Sequence, residues 1–346
     1  MKSHPIINAN EITEVSFIIQ GEINYETTSQ TIENIRRFFP YAEIVLSTYE
    51  GSDISGLDYD KIVFVEDPGF YYYDDQVESK KNNINRQILT TAVGLKAATR
   101  KYAFKLRSDF VLTGTGFLEY FNKFTQTDPE YRVFEHKVLS CVFFARDPRG
   151  ENSLPFHPSD IAFFGLRTDL LNLFDIPFMT EEESTLYKFK DVCYCKYVPE
   201  QHIWVNCLLK NGKDINFKHQ RDISEEIAVA TEKYAVSNFI YLDWVQFNLL
   251  PPERLTKFSN NDFHDVITHV EWQQLYKKYL DAELIVPNKD SLRDFLEKQI
   301  VVLKWYKFIA KFCTMFLIGK RLKVFRRKKR NEILQYLMEN ICLPKQ

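Results

Sequence analysis

The stretch KYAFKLRSDF, Lys101–Phe110, decides how the chain is read. Tyr102, Phe104 and Leu106 alternate as the core face of a strand, and the segment then ends abruptly in arginine, serine and aspartate. Immediately before it, NINRQILTTAVGLKAATR places Ile84, Ile88, Leu89, Val93 and Leu95 near one side of a helix. A helix feeding a buried strand that stops on charged residues is the signature of an α/β unit whose strand end faces a ligand crevice.

Working outward, the same alternation recurs. VSFIIQ, Val15–Gln20, is a short apolar run ending at Gly21. TTSQTIENIRRFFP follows with Ile32, Ile35, Phe38 and Phe39 at helical spacing and Pro40 as the stop. AEIVLSTYEG and DKIVFVEDPG read as second and third strands, the latter closed by a Pro68–Gly69 turn. Interleaved strands and helices imply a mostly parallel sheet with right-handed crossovers. The polar groups after each apolar run should then share one rim: Gln20 and Gly21, Ser47 and Thr48, Glu66 and Asp67, Arg107 and Asp109. Beyond Asp109, VLSCVFFARDP and SDIAFFGLRTDLLNLFD each read as a strand running into a loop or helix, and VPEQHIWVNCLLKNG as a short helix capped by Gly212. Lys213 to Lys257 reads as irregular apart from a helical piece at Ile223–Glu232.

Composition sets the frame. The 346 residues are 45% hydrophobic and 27% charged, as a globular protein requires, with 29 Phe and 19 Tyr as an aromatic excess. The length suggests a large α/β domain over residues 1–285, with a first half to about 115 and a second half from there to 285, followed by a distinct 286–346 tail. A formal net charge of −2 lacks the broad basic footprint of a nucleic-acid partner. Six cysteines with only CYC closely spaced read as free thiols in a reducing compartment. No apolar run near the start is long enough for a secretory signal, which points to the cytoplasm.

The rim suggests chemistry. A carboxylate ending an internal strand beside such a crevice commonly holds a divalent cation, Mn2+ or Mg2+, that bridges a diphosphate. Asp109 is the candidate, with Arg107 as a fixed positive charge or phosphate fork. The plain alternative is an Arg107–Asp109 ion pair, or Asp109 capping a turn. PFHPSDIAFFG offers His157, Ser159 and Asp160. VPEQHIW offers Glu200, as a general base or only a helix-terminal carboxylate. GxSxG, GxGxxG, Walker and HExxH signatures are absent from the sequence.

Taken together, FIIQGEI, VLSTYEG, EDPG, NINRQILTTAVGL, YAFKLRSD and HPSDIAFFG resemble the WavE family of lipopolysaccharide-synthesis proteins over roughly Val15 to Arg167, with an echo at PEQHIW. The resemblance implies a GT-A-like, Rossmann-type nucleotide-sugar fold and a bacterial glycosyltransferase. It places Gln20, Gly21, Thr48, Asp67, Arg86, Gln87, Arg107 and Asp109 around the donor. His157 and Ser159 fall on the acceptor side, and Asp160 or Glu200 would deprotonate the attacking hydroxyl. Two features depart from the family pattern: Glu22 stands where proline is expected, and RSD replaces a full DxD, a single acid that leaves metal dependence open, with Arg107 able to take part of the cation's electrostatic task. Rival expectations are a non-catalytic, membrane-associated polysaccharide-binding scaffold and a sugar nucleotidyltransferase, whose Gly-rich basic loop QGEINYETTSQ lacks.

The tail IVVLKWYKFIAKFCTMFLIGKRLKVFRRKKRN sets Lys304, Lys307 and Lys311 on one helical face before a basic run from Lys320 to Arg330. Its apolar segment is shorter than the roughly 20 residues a bilayer span needs. The expectation is a helical amphipathic extension on anionic lipid at the inner face of the cell membrane, serving a lipid-linked glycan acceptor; the plain alternative is a domain-packing helix with a solvated basic end.

Overall fold

The computed structural model describes residues 14–72, 81–143, 145–150, 153–189, 192–252, 255 and 265–287. The expected tail helix of 286–346 therefore falls almost wholly outside the described residues.

In chain order the elements are β1 (Val15–Gln20), α1 (Tyr25–Phe38), β2 (Glu43–Tyr49), β3 (Lys61–Val65), β4 (Tyr71–Tyr72), β5 (Lys81–Asn82), α2 (Ile84–Ala97), β6 (Tyr102–Arg107) and β7 (Val111–Leu112). Then come a 3-10 turn (Gly116–Tyr120), β8 (Val138–Cys141), β9 (Ala162–Leu166), α3 (Arg167–Phe174), α4 (Glu181–Ser184), β10 (Tyr187–Phe189) and β11 (Val192–Tyr194). The last are α5 (Pro199–Lys210), α6 (Glu225–Asn238), β12 (Phe239–Leu242), β13 (Leu249–Leu250) and α7 (His269–Tyr279).

Seven strands form the central sheet in the order β12-β8-β9-β6-β1-β2-β3. All neighbours run parallel except β9, which is antiparallel to both β6 and β8. The architecture is the expected α/β, a mostly parallel Rossmann-like sheet flanked by helices. The second half of the chain contributes β8, β9 and β12 to this same sheet. Two readings change. Phe239–Leu242, taken from sequence as irregular, is an edge strand that follows α6 without a break. The helical piece at Ile223–Glu232 extends to Asn238.

Why the elements form is visible in their side chains. Both faces of β6 are covered, so Tyr102 through Leu106 are all buried and the strand cannot alternate core with solvent. Phe104 stacks on Phe17 at 5.2 Å and meets Phe117 edge-on at 5.0 Å, so much of the aromatic excess is core. Helix α2 approaches the sheet through small residues. Thr90, Thr91 and Gly94 are buried, while Leu89 and Val93 are only half-buried. At Gly94 an added Cβ would lie 2.6 Å from Ile18 Cγ2, so glycine sets the helix–sheet distance. At the edge opposite the strand ends, the Glu43 carboxylate accepts from Ser16 Oγ, Thr99 N and Thr99 Oγ1 and pairs with Lys61, tying β1, β2, β3 and the entry to β6 together.

Candidate active site

The register places the predicted rim at one edge. Gln20 ends β1 level with Arg107 on β6 and Ser47 on β2, and β9 begins beside Leu106 with Ala162. Because β9 is antiparallel, the residues preceding it, His157 to Ile161, arrive at the same edge as the residues following β6. N-terminal ends of α2 and α5 arrive there too, through Gln87 and Gln201.

The segment after β6 answers to α1. Thr27 and Thr28 donate to the Ser108 carbonyl, Thr31 to that of Phe110 and Asn34 to that of Leu112. Thr28, Thr31 and Asn34 stand three apart on one helix face, and the carbonyls they hold alternate along an extended chain. Ser108 Oγ donates to the Glu22 carbonyl, and Ser108 N to that of Gln20. Gly21 takes φ +106°, a backbone region open to glycine, while its N–H donates to Ser47 O at 3.0 Å.

Arg107 and Asp109 meet each other. Arg107 Nε and Nη2 donate to the two Asp109 carboxylate oxygens, each at 3.0 Å, with both side chains largely buried. This is the ion pair that the bare spacing also allowed, and it sits at the strand ends instead of on open surface. Asp67 and Arg86 do the same nearer solvent. Arg86 Nε donates to Asp67 Oδ1 at 2.7 Å, its Nη1 to Asn83 Oδ1 at 2.9 Å, and the guanidinium lies 4.8 Å from the Phe70 ring. Gln20 accepts from Thr90 Oγ1 at 2.7 Å, and Thr48, fully buried, shares a hydrogen bond with Ser52. Four of the eight expected donor residues thus form ion pairs with one another, and the Gln20 and Thr48 side chains bond to internal partners.

The Asp109 carboxylate, expected to hold a divalent cation, is engaged by the Arg107 guanidinium. Both of its oxygens accept from Arg107, and among the described residues no group of three or more His, Cys, Asp or Glu side chains is arranged to hold a metal ion. Arg107 brings a fixed positive charge to this edge.

The turn before β9 carries the densest chemistry. Asp160 is 7% exposed; burial and the neighbouring Glu200 charge push its carboxyl up, against the opposing pull of Arg107 and Lys105. Glu200, at the start of α5, is paired with His157 Nε2 at 3.2 Å. Burial would raise the Glu200 carboxyl, but His157 outweighs it and the group stays below its ordinary value. His157 Nδ1 and Ser159 Oγ are buried without a hydrogen-bond partner. Phe156 (φ 57°) and Ser159 (φ 72°) both occupy the left-handed region, a strained conformation for side chains with a Cβ.

Sequence reasoning missed Lys105. Fully buried in the middle of β6, its ammonium donates to the carbonyls of Asp160 and Ile161 and lies 5.6 Å from the Phe174 ring. Burial pushes this lysine down to about 7, although the Asp160 charge acts in the other direction. The available signal was a lysine in the middle of a strand that is otherwise apolar up to Arg107.

The WavE lipopolysaccharide synthesis family matches residues 15–306. The chain belongs to that family. The match extends well past the resemblance seen in the sequence, through the α5 region that carries Glu200 and on to α7. Membership ties the chain to lipopolysaccharide synthesis, with a sugar donor and a glycan acceptor as the implied partners. No curated protein matches the chain. Among the described residues no helix is long and apolar enough to cross a membrane. Cys141, Cys195 and Cys207 are free thiols that burial pushes well above their ordinary range, so they are not poised as nucleophiles.

Proposed function

We propose that this WavE-family protein is a GT-A-type glycosyltransferase that moves a sugar from a nucleotide-sugar to a hydroxyl of a bacterial surface glycan. The observation that carries this reading is that the Arg107–Asp109 pair after β6 and the buried Asp160 before β9 share the strand-end edge of a mostly parallel sheet, where α/β sheets take nucleotides.

Two carboxyls in different environments divide the work. Glu200 is kept ionised by His157, and its charge raises Asp160, making Asp160 the stronger base. In the proposed reaction the acceptor hydroxyl gives its proton to the Asp160 carboxylate as its oxygen bonds to the anomeric carbon. The bond from that carbon to the phosphate oxygen breaks, and the nucleotide leaves with the electron pair, its charge offset by Arg107. His157 and Ser159 belong to the same turn as Asp160 and stand on the acceptor side of this reading. A lipid-linked acceptor accords with the basic, aromatic sequence from Lys304 to Arg330.

The test measures nucleotide release from UDP-, GDP-, ADP-, dTDP- and CMP-linked sugars with lipopolysaccharide-core acceptors. Asp160→Asn is expected to lower turnover by roughly 10²- to 10⁴-fold with an unchanged fold. Near-wild-type turnover in that variant, or no release from any donor, contradicts the assignment.

A further inference from the structure

The turn from Pro155 to Ile161 is held from four elements. Gln201 Nε2 on α5 donates to the Pro155 carbonyl at 2.7 Å, and Ser140 Oγ on β8 to that of Pro158 at 2.6 Å. Gln87 Nε2 on α2 donates to the Asp160 carbonyl at 3.0 Å. Lys105 on β6 donates to that same carbonyl and, at 3.4 Å, to the next one. Two residues of the turn are in left-handed conformations, so the backbone keeps its path only because these donors over-determine it. The amount of side chain committed here exceeds what a connection needs. An ammonium fully removed from water is expensive, and two backbone carbonyls beside aromatic rings repay it only in part.

We propose that Lys105 is a positioning residue for the Asp160 carboxyl, working with Gln87 to fix the turn that presents it to the acceptor hydroxyl. This rests on the transferase reading given above. Gln87 then acts on the backbone of Asp160 in place of a donor contact. Lysine suits the task because its flexible stem delivers several donors from the middle of a strand, where an amide side chain is too short to reach two successive carbonyls.

Lys105→Met keeps the length and apolar stem and removes the donors. Using the sugar-nucleotide panel, kcat is expected to fall about 10- to 100-fold, as a displacement of order 1 Å does, while KM for the donor stays within about twofold. Backbone amide exchange over residues 156–162 should quicken at least about tenfold, with the rest of the sheet unchanged. Arg107, Asp109, His157 and Glu200 remain around Asp160. Losing the ammonium therefore raises its carboxyl, and the acid limb of kcat moves to higher pH, a change a loosened core does not produce. Unchanged kcat overturns the proposal, as does wild-type exchange in the turn. If Lys105→Met fails to fold, Gln87→Met decides: lower kcat at constant KM supports the clamp, and higher KM at constant kcat overturns it. Should Asp160→Asn retain turnover, the general-base reading fails separately, and amide exchange alone decides whether Lys105 holds the turn.

Discussion

Glu43→Gln tests the physical account of the sheet at the edge away from the candidate site. The Glu43 side chain is 7% exposed, accepts from Thr99 N at 2.8 Å and Thr99 Oγ1 at 2.9 Å, and pairs with Lys61 Nζ at 2.8 Å. Burial opposes ionisation, but Lys61, Ser16 and Thr99 together outweigh it and hold the carboxyl down to about 2 from 4.5. At roughly 1.4 kcal/mol per pH unit that difference is worth about 3 kcal/mol. The Lys61 end is partly solvent-screened, and glutamine keeps one acceptor oxygen, so the expected loss at pH 7 is about 2 kcal/mol. The sign follows from a depressed folded value. The stabilisation is complete above the unfolded carboxylate range near 4.5, erodes as pH falls from there towards 2, and is gone below it. Urea unfolding of wild type and variant at intervals from pH 7 to pH 2 should show a gap that is constant above about pH 5 and closes in acid. Comparing the two chains at each pH cancels the other carboxylates. A gap that is absent at pH 7, or that persists unchanged at pH 2, refutes the reasoning.

Two further outcomes are expected. Gly94→Ala should lose about 1 to 2 kcal/mol in urea unfolding, because overpacking against Ile18 and Ser47 exceeds the helix-propensity gain; an equal or more stable variant shows that α2 can lift off the sheet. Transfer should survive chelation with EDTA, while Arg107→Gln lowers turnover on the order of 100-fold, since the positive charge comes from the guanidinium; loss of activity in EDTA with recovery on adding Mn2+ restores the cation to Asp109.

Much of the fold was readable because period and punctuation agreed. VSFIIQ, the KIVFV of β3 and YAFKLR are apolar runs with clear ends, and each became a strand of the sheet. FIYL was not readable: Asn238 ends α6 and Phe239 begins β12, with no glycine or proline between them. The antiparallel sense of β9 was equally silent, since AFFGL looks the same in either direction and only pairing with β6 and β8 fixes it. Asp160, Glu200 and His157 were visible as residue types, but the His157–Glu200 pair joins a turn and a helix about 40 positions apart in sequence.

Lys105 shows why candidate sites are harder to read than folds. An alternation rule sends Ala103, Lys105 and Arg107 outward, which is right for a sheet wet on one face. In this sheet β6 lies between β1 and β9 with both faces covered, so the outward side is a second interior. A lysine there must find backbone oxygens or lose its charge, and the carbonyls within reach belong to the turn that carries Asp160. Its burial and its position relative to the acid are consequences of one topological fact, the insertion of antiparallel β9 beside β6. Reversing that strand would carry Asp160 to the opposite edge of the sheet and leave the Lys105 ammonium with no turn to hold.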